Sequence, residues 1–450
     1  MRDFKNITTK RRFIRLPFIG WKKKSPHNSY KNLIESRPTL KRLRLILPLL
    51  AVLLAAYPVL HLVIDARNAD SSVNLTASPS KTGVRLPREL NEWQSFQLAA
   101  DAFPSARFSG DRLLAPLPDG GSVAYSFDQE LQERITKLMA DFKVPYGVFV
   151  ALEPKTGRVL AMVGHSSLEP EWGRRSFYNL YPMASLFKIV TAAAALEEKK
   201  VTPDTVVAFS GRLTSENPRY WQVKTGKQCQ KMDLTAAMGK SVNPVFGRLA
   251  AEIVGRDCII SYADRFGFNQ CLFPGTPITP SRALPPQSNA DLNLMGAGLN
   301  KGVLVSPFHA AAIMAAIANN GMMMLPDPVL EIKNGNGKLV FTPKPQSVRQ
   351  IITPQTAGQL AKMMSTTVNS GTSRKAFHDR RGRPRLADIA IAAKTGSING
   401  SDPAGQYSWF AAYAPADDPQ IALIALVINQ PKWKIKASYV GEQALESYFR

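Results

Sequence analysis

Three short motifs lie far apart along this 450-residue chain in a fixed order: Ser185-Leu186-Phe187-Lys188, Ser241-Val242-Asn243 and Lys394-Thr395-Gly396-Ser397. Each alone is common by chance. Together they require a fold that carries three distant segments to one cleft. A serine followed three residues later by a lysine pairs a nucleophile with a base, the parts of acyl-transfer chemistry without histidine.

With these motifs in this order the chain resembles a penicillin-binding protein, a serine D,D-transpeptidase domain of the penicillin-recognising superfamily. The resemblance runs from about Gly120 to Arg450, about three quarters of the chain. It includes VALEPKTGRVLAMVG near residue 150, MGAGLNKGVLVSPFHAA near 300 and SWFAAYAP after Lys394. It implies a monofunctional enzyme, without a glycosyltransferase domain.

The local context of each motif suits that chemistry. Ser185 is predicted just inside a helix, with Pro182 in its first turn and Leu186, Ile189, Val190, Ala193 and Leu196 on its buried face. Residues three apart share a helix face, so the Lys188 amine lies beside the Ser185 hydroxyl. The helix N-terminus and burial both disfavour a charged Lys188, and a neutral lysine can act as general base. Pro244 follows Asn243, so Asn243 can cap a helix that reaches about Val254 and stops at Gly255. Its other role, implied by the resemblance, is to hold a substrate backbone while Ser241 relays a proton to the leaving amine.

The third motif is predicted to end a strand of small residues, Ile389 to Ala393. Lys-Thr-Gly also occurs at Lys155-Thr156-Gly157 and Lys224-Thr225-Gly226, but only the third copy follows the other motifs. On an edge strand its backbone can pair with an extended peptide. Lys394 and the hydroxyls of Thr395 and Ser397 suit a terminal carboxylate, and Gly396 leaves room for substrate. The N–H groups of Ser185 and Ser397 are expected to form an oxyanion hole. The catalytic set is therefore Ser185, Lys188 and Ser241, and the substrate-binding set Asn243, Lys394, Thr395, Gly396 and Ser397.

Charge decides the expected topology. Of the net +23, residues 1–44 carry +12, with 14 Lys/Arg against 2 Asp/Glu. Residues 45–64, LILPLLAVLLAAYPVLHLVI, contain no charged residue. That length matches the about 20 residues a membrane-spanning helix needs. A basic flank before it predicts a cytoplasmic N-terminus and a single-pass anchor in the bacterial plasma membrane, with the catalytic domain outside. A cleaved signal peptide fits less well, because the basic region is long and the apolar run exceeds an ordinary signal core. The basic tail needs no nucleic acid to explain it, since topology and anionic lipid account for it.

Cys229, Cys258 and Cys271 show no zinc-type spacing. One disulfide among them is permitted, and three free thiols are an equal reading. The histidines, His27, His61, His165, His309 and His378, have no ligand-like neighbours. The basic stretch from Arg374 to Arg385 reads as a solvated loop.

The expected organisation is a basic tail (1–44), a transmembrane helix (45–64), an extracytoplasmic linker with one short helix (65–118) and a transpeptidase domain (119–450). Strands at both ends of the last, with helices between, give an α+β class: an antiparallel sheet flanked by helices plus a helical subdomain. A glycan polymerase domain has no room in the linker, so a separate glycosyltransferase is an expected partner. The resemblance implies peptidoglycan stem peptides ending in D-Ala-D-Ala as substrate, β-lactam antibiotics as covalent ligands, and no cofactor or metal. A D,D-carboxypeptidase shares every motif. A β-lactamase would need a deacylating base that the chain does not reveal. A β-lactam sensor would need an effector for which the tail has no room.

Overall fold

The central sheet is built from β1 (Tyr146–Leu152), β2 (Val159–His165), β3 (Ala392–Ser401), β4 (Ala404–Ala414) and β5 (Ile421–Asn429), antiparallel throughout in the order β3-β4-β5-β1-β2. The computed structural model describes residues 90–223, 229–273, 278–431 and 434–450. They belong to a compact unit spanning Gly83–Arg450.

Burial alternates along β2, while β1 and β5 are buried on both faces. All seven residues of β1 and all nine of β5 are buried. Side chains alternate across a strand, so one set goes to each face. Val148 and Val150 join one core, with Ile424, Leu426 and Trp409. Phe149 and Ala151 join the other, with Leu423, Val427 and Phe410. Helices cover both faces, which is why these strands read as unbroken apolar runs. The second core is closed by Leu131, Ile135, Leu138 and Met139 of the helix Gln129–Asp141, and by Val440, Ala444 and Leu445 of the terminal helix Ala437–Phe449. Against the first lies the helix Pro307–Ala318, every residue of which is buried.

Gln129–Asp141 starts where the Asp128 side chain accepts the Leu131 N–H, an N-cap that satisfies one of the end donors. The predicted short helix in the linker is Glu92–Ala102, opened by a capping box between Asn91 and Gln94.

The rest of the linker reading changes. Arg107–Ser109 and Arg112–Pro116 are strands, and with Ser122–Tyr125, Val329–Lys333 and Leu339–Phe341 they make a second five-stranded sheet. Its hairpin joins the core through Leu113 and Ala115, alternate residues too few to stand out in sequence. The structured region therefore begins well before residue 119. The expected membrane helix, 45–64, lies outside the described residues. Among those described, no helix is long and apolar enough to cross a membrane.

Candidate active site

All three motifs converge. Ser185 sits in a single 3₁₀ turn, Ala184–Phe187, that runs into the helix Lys188–Glu197. Pro182 is not in that helix. It forms a two-residue strand with Tyr181, paired to Leu304–Val305, and its carbonyl accepts the Trp409 indole N–H at 2.9 Å. A proline that reads as a helix start is used instead to tie the nucleophile turn to β4.

Lys188 is completely buried, and Ser185 nearly so. Lys188 Nζ lies 2.7 Å from Ser185 Oγ, 2.8 Å from Asn243 Oδ1 and 2.5 Å from the Ala297 carbonyl oxygen. As an ammonium, Lys188 would donate to all three. Burial pushes its pKa well below the ordinary lysine value, and the charge of Lys394 pushes it the same way. As a neutral amine it has two N–H donors and one lone pair. The carbonyls of Asn243 and Ala297 can only accept, so they take both protons. The lone pair is left for the Ser185 hydroxyl to donate into. The contact set thus suits an amine that accepts the proton of Ser185.

Asn243 does not cap its helix. It is the first residue of Asn243–Arg248, Val242 takes the cap position, and no side chain caps there. The Asn243 amide instead reaches back to Lys188 and donates to the Ser215 carbonyl at 3.3 Å. The predicted stop at Gly255 is present, after a π-helical turn Leu249–Val254.

Lys394 is also fully buried. Its Nζ donates to Ser241 Oγ at 2.7 Å and to the Thr395 carbonyl at 2.8 Å, and burial lowers its pKa to about 7. The third motif does not end a strand. Residues 388–391 are irregular and β3 runs on through the motif to Ser401, as the expected edge strand. Its pairing is Lys394 opposite Ala411, Gly396 opposite Trp409 and Ser397 opposite Ser408. Ser397 is exposed and Thr395 half-buried. Gly396 serves packing rather than open space: an added Cβ would lie 3.1 Å from the Ala184 methyl and 3.2 Å from Trp409 Cβ.

Ala184, the residue before the first motif serine, and Ser241, the second motif's own serine, have left-handed backbone (φ 53° and 55°). Such conformations cost about 1–3 kcal/mol each and concentrate at functional sites. The surroundings that hold Ala184 include Gly298 (φ 68°), where a Cβ would lie 2.2 Å from the Ala184 carbonyl oxygen. Gly298→Ala would add both strain and a clash behind the nucleophile. It is expected to destabilise the fold by about 1–3 kcal/mol, from overpacking alone, and to slow covalent capture of penicillin. Thermal melting and the acylation rate of the purified variant check this.

Ala297, Ser215 and Thr372 were not singled out by sequence. Ala297 and Ser215 act through backbone carbonyls, which leave no residue-type signal. The Thr372 hydroxyl lies 2.6 Å from that of Thr395. The Lys-Thr-Gly copy at 155–157 takes no part, since Lys155 pairs with Asp418 at an exposed turn; the copy at 224–226 lies outside the described residues. His309 is a satisfied core histidine. Its Nε2 donates to the Phe266 carbonyl, so its Nδ1 accepts from Ser281 Oγ. All three cysteines are free.

Comparison with known proteins gives the family of the domain that carries this site. The family model described as the penicillin binding protein transpeptidase domain matches residues 147–447. The chain belongs to this family, and it is a serine transpeptidase by class. It is 28% identical over 348 residues to the peptidoglycan D,D-transpeptidase PbpA of Mycobacterium tuberculosis H37Rv, covering 69% of this chain and 68% of that protein. It is 26% identical over 382 residues to the peptidoglycan D,D-transpeptidase MrdA of Haemophilus influenzae, covering 74% and 57%. The imipenem acyl-enzyme structure of penicillin-binding protein A from M. tuberculosis superimposes with a TM-score of 0.61 at 26% identity, over 73% of this chain and 80% of that one.

Proposed function

We propose that this chain is a peptidoglycan D,D-transpeptidase that works through an acyl-enzyme on Ser185. The observation that carries the reading is the buried Lys188 amine, 2.7 Å from Ser185 Oγ and in contact with two carbonyl oxygens that can take its N–H groups. Ser185 attacks the penultimate carbonyl of a stem peptide ending in D-Ala-D-Ala, and its proton passes to Lys188. Ser241 gives its proton to the leaving D-Ala amine and regains one from the Lys394 ammonium. Attack by an amine of a neighbouring stem runs these transfers in reverse. Both lysines and both serines return to their starting states, and a cross-link is formed. Thr395 and Ser397 take the terminal carboxylate, the Asn243 side chain faces the peptide, and Gly396 lets β3 close on the nucleophile turn. β-Lactams enter as donor mimics, as in the relative's acyl-enzyme.

In the same reading, residues 1–44 are a cytoplasmic tail and 45–64 a single-pass anchor, with the catalytic domain outside the plasma membrane. Glycan is supplied by a separate polymerase in the same membrane, whose nascent strands this enzyme cross-links. Purified full-length protein, given lipid-linked precursor and a glycan polymerase, should yield cross-linked muropeptides by mass spectrometry. Ser185→Ala should remove them. Strands trimmed of D-Ala but never joined would make the enzyme a carboxypeptidase instead. Glycan made without added polymerase would contradict the separate partner.

A further inference from the structure

The turn Ser370-Gly371-Thr372-Ser373 follows the helix Pro354–Asn369 and belongs to none of the three motifs. It nevertheless touches the third of them and the segment that leads into the second. The Thr372 backbone N–H donates to the Gly239 carbonyl at 3.0 Å, two residues before Ser241. The Ser373 N–H donates to Thr367 O at 3.0 Å, and Thr366 Oγ1 donates to the Thr235 carbonyl at 3.0 Å. Gly371 passes so close to Gly239 that an added Cβ would lie 2.1 Å from the Gly239 carbonyl oxygen. The turn is therefore held against the segment that leads into Ser241. From that position the Thr372 hydroxyl lies 2.6 Å from Thr395 Oγ1 on β3.

Thr395 and Ser397 are two residues apart on one strand, so they share a face. Thr372 and Ser397 are exposed and Thr395 half-buried, which leaves a row of hydroxyls at the lip of the cleft. Each hydroxyl has a single proton, and an ionised carboxylate can only accept. If Thr395 spent its proton on Thr372, it would turn a lone pair toward a carboxylate and repel it. If Thr372 donates instead, the Thr395 proton is free for the ligand.

We propose that Thr372 is a positioning residue for the reaction: it donates to Thr395 Oγ1 and so directs the Thr395 hydroxyl at the ligand carboxylate. This rests on the reading of Ser185 and the third motif as the reaction site. The effect is specific to ligands that carry the carboxylate, because an ester cannot bring the same charge to the pair.

The test compares the second-order rate at which Ser185 is labelled by a penicillin free acid and by its methyl ester. Thr372→Val keeps the branched shape and loses the hydroxyl. It is expected to slow labelling by the acid about 10-fold or more, the loss of a hydrogen bond serving a charged group. Labelling by the ester should stay within about twofold. Thr372→Ser should restore the acid rate. Combined with Thr395→Val, the Thr372→Val change should cost nothing further, since contacting residues acting as one unit are non-additive. Equal losses for acid and ester would show that Thr372 acts only through the fold, and would overturn the inference. Unchanged rates, or additive losses in the double variant, would overturn it as well. Wild-type protein that takes no label at Ser185 would contradict the underlying reading and the inference together.

Discussion

Lys188→Ala is expected to slow acylation of Ser185 by about 10²–10⁴-fold, the range typical of removing a positioned general base. Stopped-flow or gel-based labelling with a fluorescent penicillin measures it. The loss should fall on the rate and not on folding. Lys188 is fully buried, and a buried amine is an expensive group to desolvate, so removing it offsets part of the packing it contributed. Its removal also leaves the Asn243 and Ala297 carbonyls without the donor they share, which lowers stability without abolishing the fold. Thermal melting of the variant should therefore show a cooperative transition, while labelling is nearly absent. A variant that labels at the wild-type rate would remove Lys188 from the chemistry.

Asn243→Asp is the more discriminating change, because it introduces a charge at nearly constant shape, losing besides only the long amide bond to the Ser215 carbonyl. The new carboxylate would sit about where the Oδ1 now lies, 2.8 Å from Lys188 Nζ. An opposite charge at such range raises the pKa of a lysine by about 1–3 units. The sign is clear. Burial and Lys394 hold the Lys188 pKa down in the native site, which keeps the amine neutral; the aspartate favours the ammonium, which has no lone pair for the Ser185 proton. Acylation at neutral pH is expected to fall by about 10–1000-fold, following that shift. The rising limb of the pH–rate profile should move toward alkaline pH, so that part of the loss is recovered there. A fall in rate that is equal at every pH would mean that Asn243 serves only as a contact to substrate.

Much of this site was legible in sequence because side-chain chemistry and local spacing carry it. Ser185 and Lys188 meet because residues three apart share a helical face. The strand–turn–strand around Pro154 to Gly157 and the helix Gln129–Asp141 follow from turn residues and apolar spacing. Where the reading changed, the deciding contact came from elsewhere in the fold. Asn243 has a good capping side chain, yet the buried Lys188 amine and the Ser215 carbonyl both need a partner, and those tertiary demands prevail over the cap. Pro182 looks like a helix start, and a cross-strand pair with Leu304 uses it otherwise. Gly396 was read as room for substrate; what it lacks is a Cβ against Ala184 and Trp409. The hairpin over 107–116 has strands of only three and five residues, and its partners Ser122–Tyr125 and Val329–Lys333 make it part of a larger sheet. The Ala297 carbonyl could not be found from residue type at all, since any residue supplies one.

The central claim is that Ser185, activated by a neutral Lys188, is the residue that becomes acylated. Incubating the purified protein with a penicillin, digesting it and locating the adduct by tandem mass spectrometry tests this most directly. The account predicts one adduct, on Ser185, at one equivalent per chain, and none in Ser185→Ala. An adduct on Ser241, Ser397 or any other residue, or undiminished labelling of Ser185→Ala, would contradict it.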